Sequence, residues 1–240
     1  WKYHQIDRTE VSLDELVARD FVVQTRPHVV VNVLDATNLE RNLYLTIQLM
    51  EMRLPMVLAL NMADVARRRG LRIDTARMTA LLGMPVIETV ATSGEGIKDL
   101  VTAMTVAADD ANLFHLKPVS YGHEVENEVD QLAVLLAEDA SLALRYPVRW
   151  LAVKLIEGDE HIWQEIRASA ADPKRIESAA QAAIHAIEVH FGESAATIVA
   201  ERRYGFAAGI VRQCVEQTSV SNRDLTDSID AVVCNRIAGP

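Results

Sequence analysis

Residues 56–64, MVLALNMAD, decide the fold of the first half of this chain. The five apolar residues Met56–Leu60 are followed by the polar residue Asn61. A continuous apolar run that ends in polar residues is typical of a buried parallel β-strand. Two runs of the same kind flank it along the sequence, HVVVNVL at His28–Leu34 and VIETV at Val86–Val90. The sequence therefore predicts three buried strands in the first hundred or so residues.

Helical patterns separate and follow these strands. Apolar residues recur on one stripe of Asn38–Met52, and shorter helical patterns cover Asp74–Leu82 and Gly96–Ala107. Strands and helices in alternation predict an α/β fold with a doubly wound sheet over residues 1–108. In such sheets ligands bind beyond the carboxyl ends of the strands, which is where the polar residues after each run lie.

The second half of the chain has a different periodicity. Residues 109–119 are interpreted as a linker, and beyond them only helical patterns occur, so residues 120–222 are predicted to form an all-α helical bundle. Trp150 and Trp163 are interpreted as core anchors of this bundle. The predicted helices are Tyr121–Asp139, Pro147–Glu157, Glu160–Ala170, Pro173–Phe191 and Glu193–Val215.

Composition excludes several classes of protein. The formal net charge is −10 and the basic residues form no long run, so we expect no nucleic-acid partner. The two cysteines, Cys214 and Cys234, form neither a disulfide framework nor a zinc cluster, which favours a reducing compartment. No apolar run approaches the roughly 20 residues that span a bilayer.

Asn61-Met62-Ala63-Asp64 directly follows the central strand and can recognise guanine. The Asp64 carboxylate can accept hydrogen bonds from the N1–H and 2-amino groups of guanine, and the Asn61 amide can join the base to neighbouring loops. Adenine cannot satisfy the same acceptors, so a mismatch leaves buried polar groups unpaired. Asn and Asp are also common strand-end and helix-cap residues, and the tetrapeptide alone favours that simpler interpretation.

A second element follows the next strand, at Ala91-Thr92-Ser93-Gly94-Glu95-Gly96. In guanine-nucleotide-binding proteins a turn of this type presents backbone N–H groups to the guanine O6 atom. Alone it is also an ordinary glycine-containing turn between a strand and a helix. The two elements together, at the ends of adjacent predicted strands, favour guanine recognition.

The phosphate-binding motif of nucleotide hydrolases does not occur in these 240 residues. The chain contains no Gly-x-x-x-x-Gly-Lys-Ser/Thr string, no Asp-x-x-Gly segment before the first strand, and no glycine before Gly70. We therefore assign no catalytic residue and no metal ligand. The acidic residues Glu157, Asp159 and Glu160 are interpreted as a solvated helix junction.

Several long strings resemble the ferrous iron transport protein B family, in the order that the family has them. They cover residues 11–240. They are LDELVARDF at Leu13–Phe21, DATNLERNLYL at Asp35–Leu45, NMAD at Asn61–Asp64, RWLAVKLIEGD at Arg149–Asp159, RYGF at Arg203–Phe206, LTDSID at Leu225–Asp230 and NRIAGP at Asn235–Pro240.

This resemblance implies a partial GTPase-type sheet without its front strands, then a helical domain, and at residues 223–240 the approach to a first membrane helix. It implies that Asn61 and Asp64 contact guanine, that Met62 flanks the base, and that Ala91, Thr92 and Ser93 form the loop near O6. The implied ligand is GTP or GDP, with Mg²⁺ only where a phosphate loop is supplied.

The implied whole protein is a GTPase-coupled ferrous-iron transporter at the cytoplasmic face of a bacterial inner membrane. Its partners would be its own membrane permease domain and, in a homo-oligomer, further copies of itself. We expect the chain to be a truncated piece, which leaves an open apolar edge on the strand at His28–Leu34 and does not hydrolyse GTP alone. The alternatives are a non-catalytic remnant that acts as a regulatory helical interaction module, and a GTPase unrelated to membranes.

Overall fold

The first part of the protein is an α/β layer with a three-stranded parallel sheet. A computed structural model describes residues 21–23, 25–109 and 119–217. In chain order the elements of this part are β1 Val30–Asp35, α1 Leu39–Glu51, β2 Met56–Asn61, α2 Ala63–Arg68, β3 Leu71–Ile73, α3 Thr75–Leu82, β4 Val86–Glu88 and α4 Ile97–Asp109. The sheet has the order β1-β2-β4, so the predicted α/β class and its three strands are confirmed.

Strand β2 is the centre of this layer. Each residue of Met56–Leu60 is at most 2% exposed, because β2 is paired on both edges and covered on both faces. Helix α1 packs on the sheet through fully buried Leu43 and Ile47. The buried Asn32 amide on β1 donates to Thr46 Oγ1 of α1 at 2.8 Å, which satisfies a polar group inside the core.

Strand β1 lies at the edge of the sheet among the described residues. It pairs there with β2 only, and the side chain of Val33 is 59% exposed. Helix α4 also exposes apolar side chains, with Val101 53% and Val106 50% exposed. Among the described residues β1 is thus the edge strand, whereas an edge left open by missing front strands stays a prediction.

The second part is a helical bundle, as predicted. Trp150 is 1% exposed and Trp163 is 7% exposed, so both are core residues. Sequence reasoning missed helix α6, since its residues lie between two longer helical patterns. The helices are α5 His123–Ala137, α6 Ala140–Arg145, α7 Val148–Glu157, α8 Glu160–Ser169, α9 Pro173–Phe191 and α10 Ala195–Cys214.

Three of the predicted segments fall largely or wholly outside the described residues. They are the family-like string at Leu13–Phe21, most of the linker at 109–119, and the approach to a membrane helix at 223–240. Of the helices that the structure describes, none combines the length and the apolar character needed to cross a membrane.

A short strand, β5 at Val215–Gln217, returns from the bundle to the α/β layer. It pairs antiparallel with β3, and the Asp74 N–H donates to the Cys214 carbonyl at 2.7 Å. The prediction of helix alone after the linker was wrong for these residues. Three residues are too few to show strand alternation, and the strand depends on a partner that is distant in sequence.

A buried charge network joins the two parts. The Arg203 side chain on α10 is fully buried, and its Nε and Nη2 donate to the two carboxylate oxygens of Glu51 at 2.9 Å each. Its Nη1 and Nη2 donate to Glu157 on α7, and the Tyr121 hydroxyl donates to Glu51. A single guanidinium therefore binds one carboxylate from each part of the protein.

The interpretation of Glu157, Asp159 and Glu160 as a solvated cluster was wrong for the first two. The Glu157 side chain is 18% exposed and is bonded to Arg203 and to Lys154 Nζ, the latter at 3.0 Å. The Asp159 side chain is 5% exposed and caps α8 by accepting from the Ile162 N–H at 3.2 Å. Acidic residues in sequence look alike, whereas their burial depends on the helices packed around them.

We expect Arg203→Met to lower the free energy of unfolding by about 3–5 kcal/mol, because it leaves two carboxylates buried without their cation. The matched control is Arg175→Met, which removes an exposed pair with Glu138 at 2.7 Å and should cost at most about 1 kcal/mol. Urea unfolding of both variants measures the difference. Equal losses in the two variants would contradict a stabilising role for the network.

Acid should weaken the same network through Glu157. Burial alone would raise the pKa of this carboxyl, but Arg203 and Lys154 outweigh burial and lower the pKa from 4.5 to about 2. A lowered folded-state pKa gives a contribution of about 3 kcal/mol that is present above pH 4.5 and lost as the pH falls toward 2. The stability gap between the wild type and Glu157→Gln should therefore shrink over that range. A gap that stayed constant would show that Glu157 does not titrate this way.

Candidate functional site

The carboxyl ends of the three parallel strands meet at one edge of the sheet. Asp35 of β1 lies opposite Asn61 of β2, and Leu60 of β2 lies opposite Glu88 of β4. The Thr89 N–H donates to the Leu60 carbonyl at 2.8 Å and extends the pairing past the end of β4. The two elements predicted to recognise guanine are thereby brought to the same edge.

The side chain of Asn61 connects these two elements directly. Its Oδ1 atom accepts a hydrogen bond from the Ala91 N–H at 3.0 Å. The backbone adds a second link, since the Ala63 N–H donates to the Thr89 carbonyl at 3.3 Å. The turn after β4 is therefore tied to the turn after β2 at two points.

Met62 forms the turn between β2 and α2. Its backbone is left-handed, with φ 62° and ψ 29°, and its side chain is 40% exposed. This turn places Asp64 in the first turn of α2, where its Oδ2 atom contacts Arg68 Nη2 at 2.9 Å. Exposed pairs of this i, i+4 type contribute only about 0.3–0.5 kcal/mol, so a ligand donor can displace Arg68 from the carboxylate.

The turn at Ala91–Gly94 is closed by its own backbone. The N–H groups of Ser93 and Gly94 donate to the Val90 carbonyl at 3.1 and 2.9 Å, and the Val90 N–H donates to the Glu95 carbonyl at 3.0 Å. Among the described residues the Thr92 N–H has no acceptor. Of the three predicted loop residues, Thr92 is thus the one whose backbone donor is left for a ligand.

Two residues that support this turn were missed by sequence reasoning. Gly96 has φ +76°, and a Cβ atom there would lie 2.0 Å from the Glu88 carbonyl oxygen. The Arg67 guanidinium contacts Glu88 Oε2 at 2.9 Å and Glu95 Oε1 at 2.7 Å. The second glycine of Gly94-Glu95-Gly96 was the available signal for Gly96, whereas Arg67 had none within its run of three arginines.

The edge provides hydrogen-bond acceptors and donors for a planar base. Within residues 21–23, 25–109 and 119–217, no group of three or more His, Cys, Asp or Glu side chains could hold a metal ion. The described polar groups at this edge include the Asp64 carboxylate, the Asn61 amide and the Thr92 N–H. Together they can bind a base with two adjacent donors and one acceptor.

Two family profiles match the chain. The profile described as ferrous iron transport protein B matches residues 4–104, and the one described as FeoB cytosolic helical domain matches residues 121–216. A curated relative from Porphyromonas gingivalis, an Fe(2+) transport protein A/Fe(2+) transporter FeoB fusion protein, is 37% identical over 235 residues. That alignment covers 95% of this chain and 27% of the relative, so the chain spans about a quarter of the relative's length.

Two solved structures of NFeoB from S. thermophilus share the fold. One is a mutant bound to GDP, with a TM-score of 0.75 and 31% identity, which covers 86% of this chain and 76% of that one. The other is bound to mGMPPNP, with a TM-score of 0.73 and 29% identity, and covers 89% of this chain and 77% of that one.

We expect Gly96→Ala to destabilise the protein far more than Gly94→Ala. Both glycines have positive φ, which costs an alanine about 1 kcal/mol, but a methyl group at position 94 would have no heavy atom within 4 Å. At Gly96 the methyl group would collide with the Glu88 carbonyl, which should add about 2 kcal/mol or more. Urea unfolding of the two variants measures the difference, and equal stabilities would contradict the close approach.

Proposed function

The chain belongs to the ferrous iron transport protein B family, and from that membership we propose that it is the guanine-nucleotide-binding and helical portion of a ferrous-iron transporter. The structural observation that carries the guanine-binding part of the proposal is the hydrogen bond from the Ala91 N–H to Asn61 Oδ1, at 3.0 Å. It joins the two sequence elements that each had a simpler interpretation alone. Their contact supports one composite site, since it ties the turn after β2 to the turn after β4 at the same edge of the sheet.

We propose the following roles in guanine recognition. The Asp64 carboxylate accepts from the N1–H and 2-amino groups of the base, and the Thr92 N–H donates to O6. Asn61 holds the Ala91–Ser93 turn in place, and the exposed Met62 side chain flanks the base. Adenine has an amino group where guanine has O6, so it would meet the Thr92 donor with another donor, which costs binding energy.

The phosphate groups of a nucleotide have no comparable site in these 240 residues, because the sequence contains no phosphate-loop motif. Contacts to the phosphates supply much of the affinity in this class of protein. We therefore propose that residues 1–240 bind GDP or GTP weakly and do not hydrolyse GTP. Mg²⁺ would bind only where a phosphate loop is supplied.

For the whole protein we propose that nucleotide binding in this portion regulates a membrane permease for Fe²⁺, with the helical domain adjusting nucleotide affinity. The P. gingivalis relative, which is named as an Fe(2+) transporter, supports this assignment. The proposed location is the cytoplasmic face of a bacterial inner membrane. Assembly into homo-oligomers stays a prediction from the family resemblance.

A second candidate function is a non-catalytic helical interaction module that carries part of a GTPase fold. The absence of a phosphate-loop motif from the sequence favours it. Titration of the ¹⁵N-labelled chain with GDP and with ADP, followed by NMR, separates the two candidates. The proposed function requires shifts of the Thr92 and Asn61 signals that are larger with GDP, whereas equal shifts with ADP, or none, would leave the second candidate.

In the whole protein, where a phosphate loop is supplied, we expect Asp64→Asn to exchange guanine preference for xanthine preference. The new amide would place a donor against a guanine donor, a mismatch of roughly 1–3 kcal/mol or about tenfold to a hundredfold in affinity. Xanthine has an oxygen where guanine has its 2-amino group, so the amide could donate to it. The measurement is competition between GDP and XDP for the variant.

The matched control for this experiment is Asp99→Asn, which removes the same charge from the exposed first turn of α4. It should leave the preference for GDP unchanged. An unchanged GDP affinity in Asp64→Asn would mean that Asp64 does not contact the base, and Asn61-Met62-Ala63-Asp64 would then be a strand-end turn only.

A further inference from the structure

Arg67 forms a clamp between the two halves of the candidate base site. It lies on α2, three residues after Asp64. Its Nη1 atom contacts Glu88 Oε2 at 2.9 Å and its Nη2 atom contacts Glu95 Oε1 at 2.7 Å. One planar group thus holds two carboxylates with its two terminal nitrogens, a geometry that lysine could not reproduce.

The two carboxylates belong to the two stems of the same turn. Glu88 is the last residue of β4, and Glu95 follows Gly94 and pairs with Val90 across the base of the turn. The Gly96 backbone lies against the Glu88 carbonyl, so the stems are already in van der Waals contact. Arg67 therefore fixes both stems relative to α2.

We propose that Arg67 is a positioning residue that sets the distance between the Asp64 carboxylate and the Thr92 N–H without touching the nucleotide. Helix α2 carries the carboxylate and the clamped turn carries the backbone donor. A planar base must meet both groups at once, so its affinity depends on their separation. This role rests on the proposed function, because it concerns the same guanine site.

The expected loss of GDP binding on removal of the Arg67 side chain depends on how exposed the clamp is to solvent. The side chains of Arg67, Glu88 and Glu95 are 48%, 33% and 54% exposed, so solvent screens each ion pair. Loss of the clamp should loosen the turn rather than unfold the protein. We expect Arg67→Ala to weaken GDP binding about twofold to tenfold, with little change in the midpoint of thermal unfolding.

The first measurement needs no nucleotide. Amide hydrogen exchange of the intact chain should become about threefold to tenfold faster at Ser93 and Gly94 in Arg67→Ala, because their bonds to the Val90 carbonyl open more often. Exchange in β2 should stay unchanged. Arg69→Ala is the matched control, since it removes the same charge at the exposed end of α2. Unchanged exchange at Ser93 and Gly94 in Arg67→Ala would overturn the clamp.

The second measurement is rescue by reversed charges. Arg67→Glu combined with Glu88→Gln and Glu95→Arg restores one ion pair across the same gap, and Gln at position 88 removes repulsion with the new carboxylate. This triple variant should recover slow exchange, whereas Arg67→Glu with Glu88→Gln alone should not. Failure of the triple variant to recover would show that the Arg67 side chain acts through something other than these charges.

The third measurement is NMR titration of each variant with GDP and ADP. Weaker GDP binding in Arg67→Ala and recovery in the triple variant support the positioning role. GDP binding unchanged in Arg67→Ala would overturn that role even if exchange had increased. A wild-type chain with no preference for GDP over ADP would overturn the guanine site, and with it the positioning role, while the exchange results would still decide whether Arg67 clamps the turn.

Discussion

Parallel pairing of β2 with both of its neighbours is the constraint on which the candidate site depends. The main chain of β2 is hydrogen-bonded on both edges, and Met56–Leu60 are buried on both faces. Such a strand cannot slide without breaking two ladders at once. The residues after β2 and β4 are therefore delivered to one edge, where the Asn61 side chain can reach the Ala91 N–H.

The contact between the two parts of the protein depends on a buried cation, Arg203. Arg203 and Arg67 both hold two carboxylates, but the first is fully buried and the second is about half exposed. In the interior an unpaired carboxylate is very costly, so Arg203 bears on whether the two parts stay together. At the surface water replaces a lost partner cheaply, so Arg67 can adjust local geometry without a large effect on stability.

Helix α1 connects the strand edge that carries the candidate site to the buried charge network around Arg203. It begins after a turn at the strand edge, in which Asp35 Oδ1 accepts from the Thr37 N–H and hydroxyl at 2.8 Å. It ends at Glu51, one of the two carboxylates on Arg203. The pairing of β3 with β5 is a second direct contact between the two parts, and it lies where the bundle's last helix ends.

The sequence by itself determined the α/β-then-helical order, the three buried strands and the positions of Asn61, Asp64 and the Ala91–Ser93 turn. These are local patterns, since an apolar run and the polar residue that ends it are adjacent in the chain. Only the tertiary structure decided that β5 pairs with β3, that the Thr92 N–H has no acceptor among the described residues, and that Arg67 and Arg203 hold particular carboxylates. Charged residues look alike in a sequence, and the Glu51 partner of Arg203 lies 152 residues away, so the folded chain alone selects which pairs meet and which are buried.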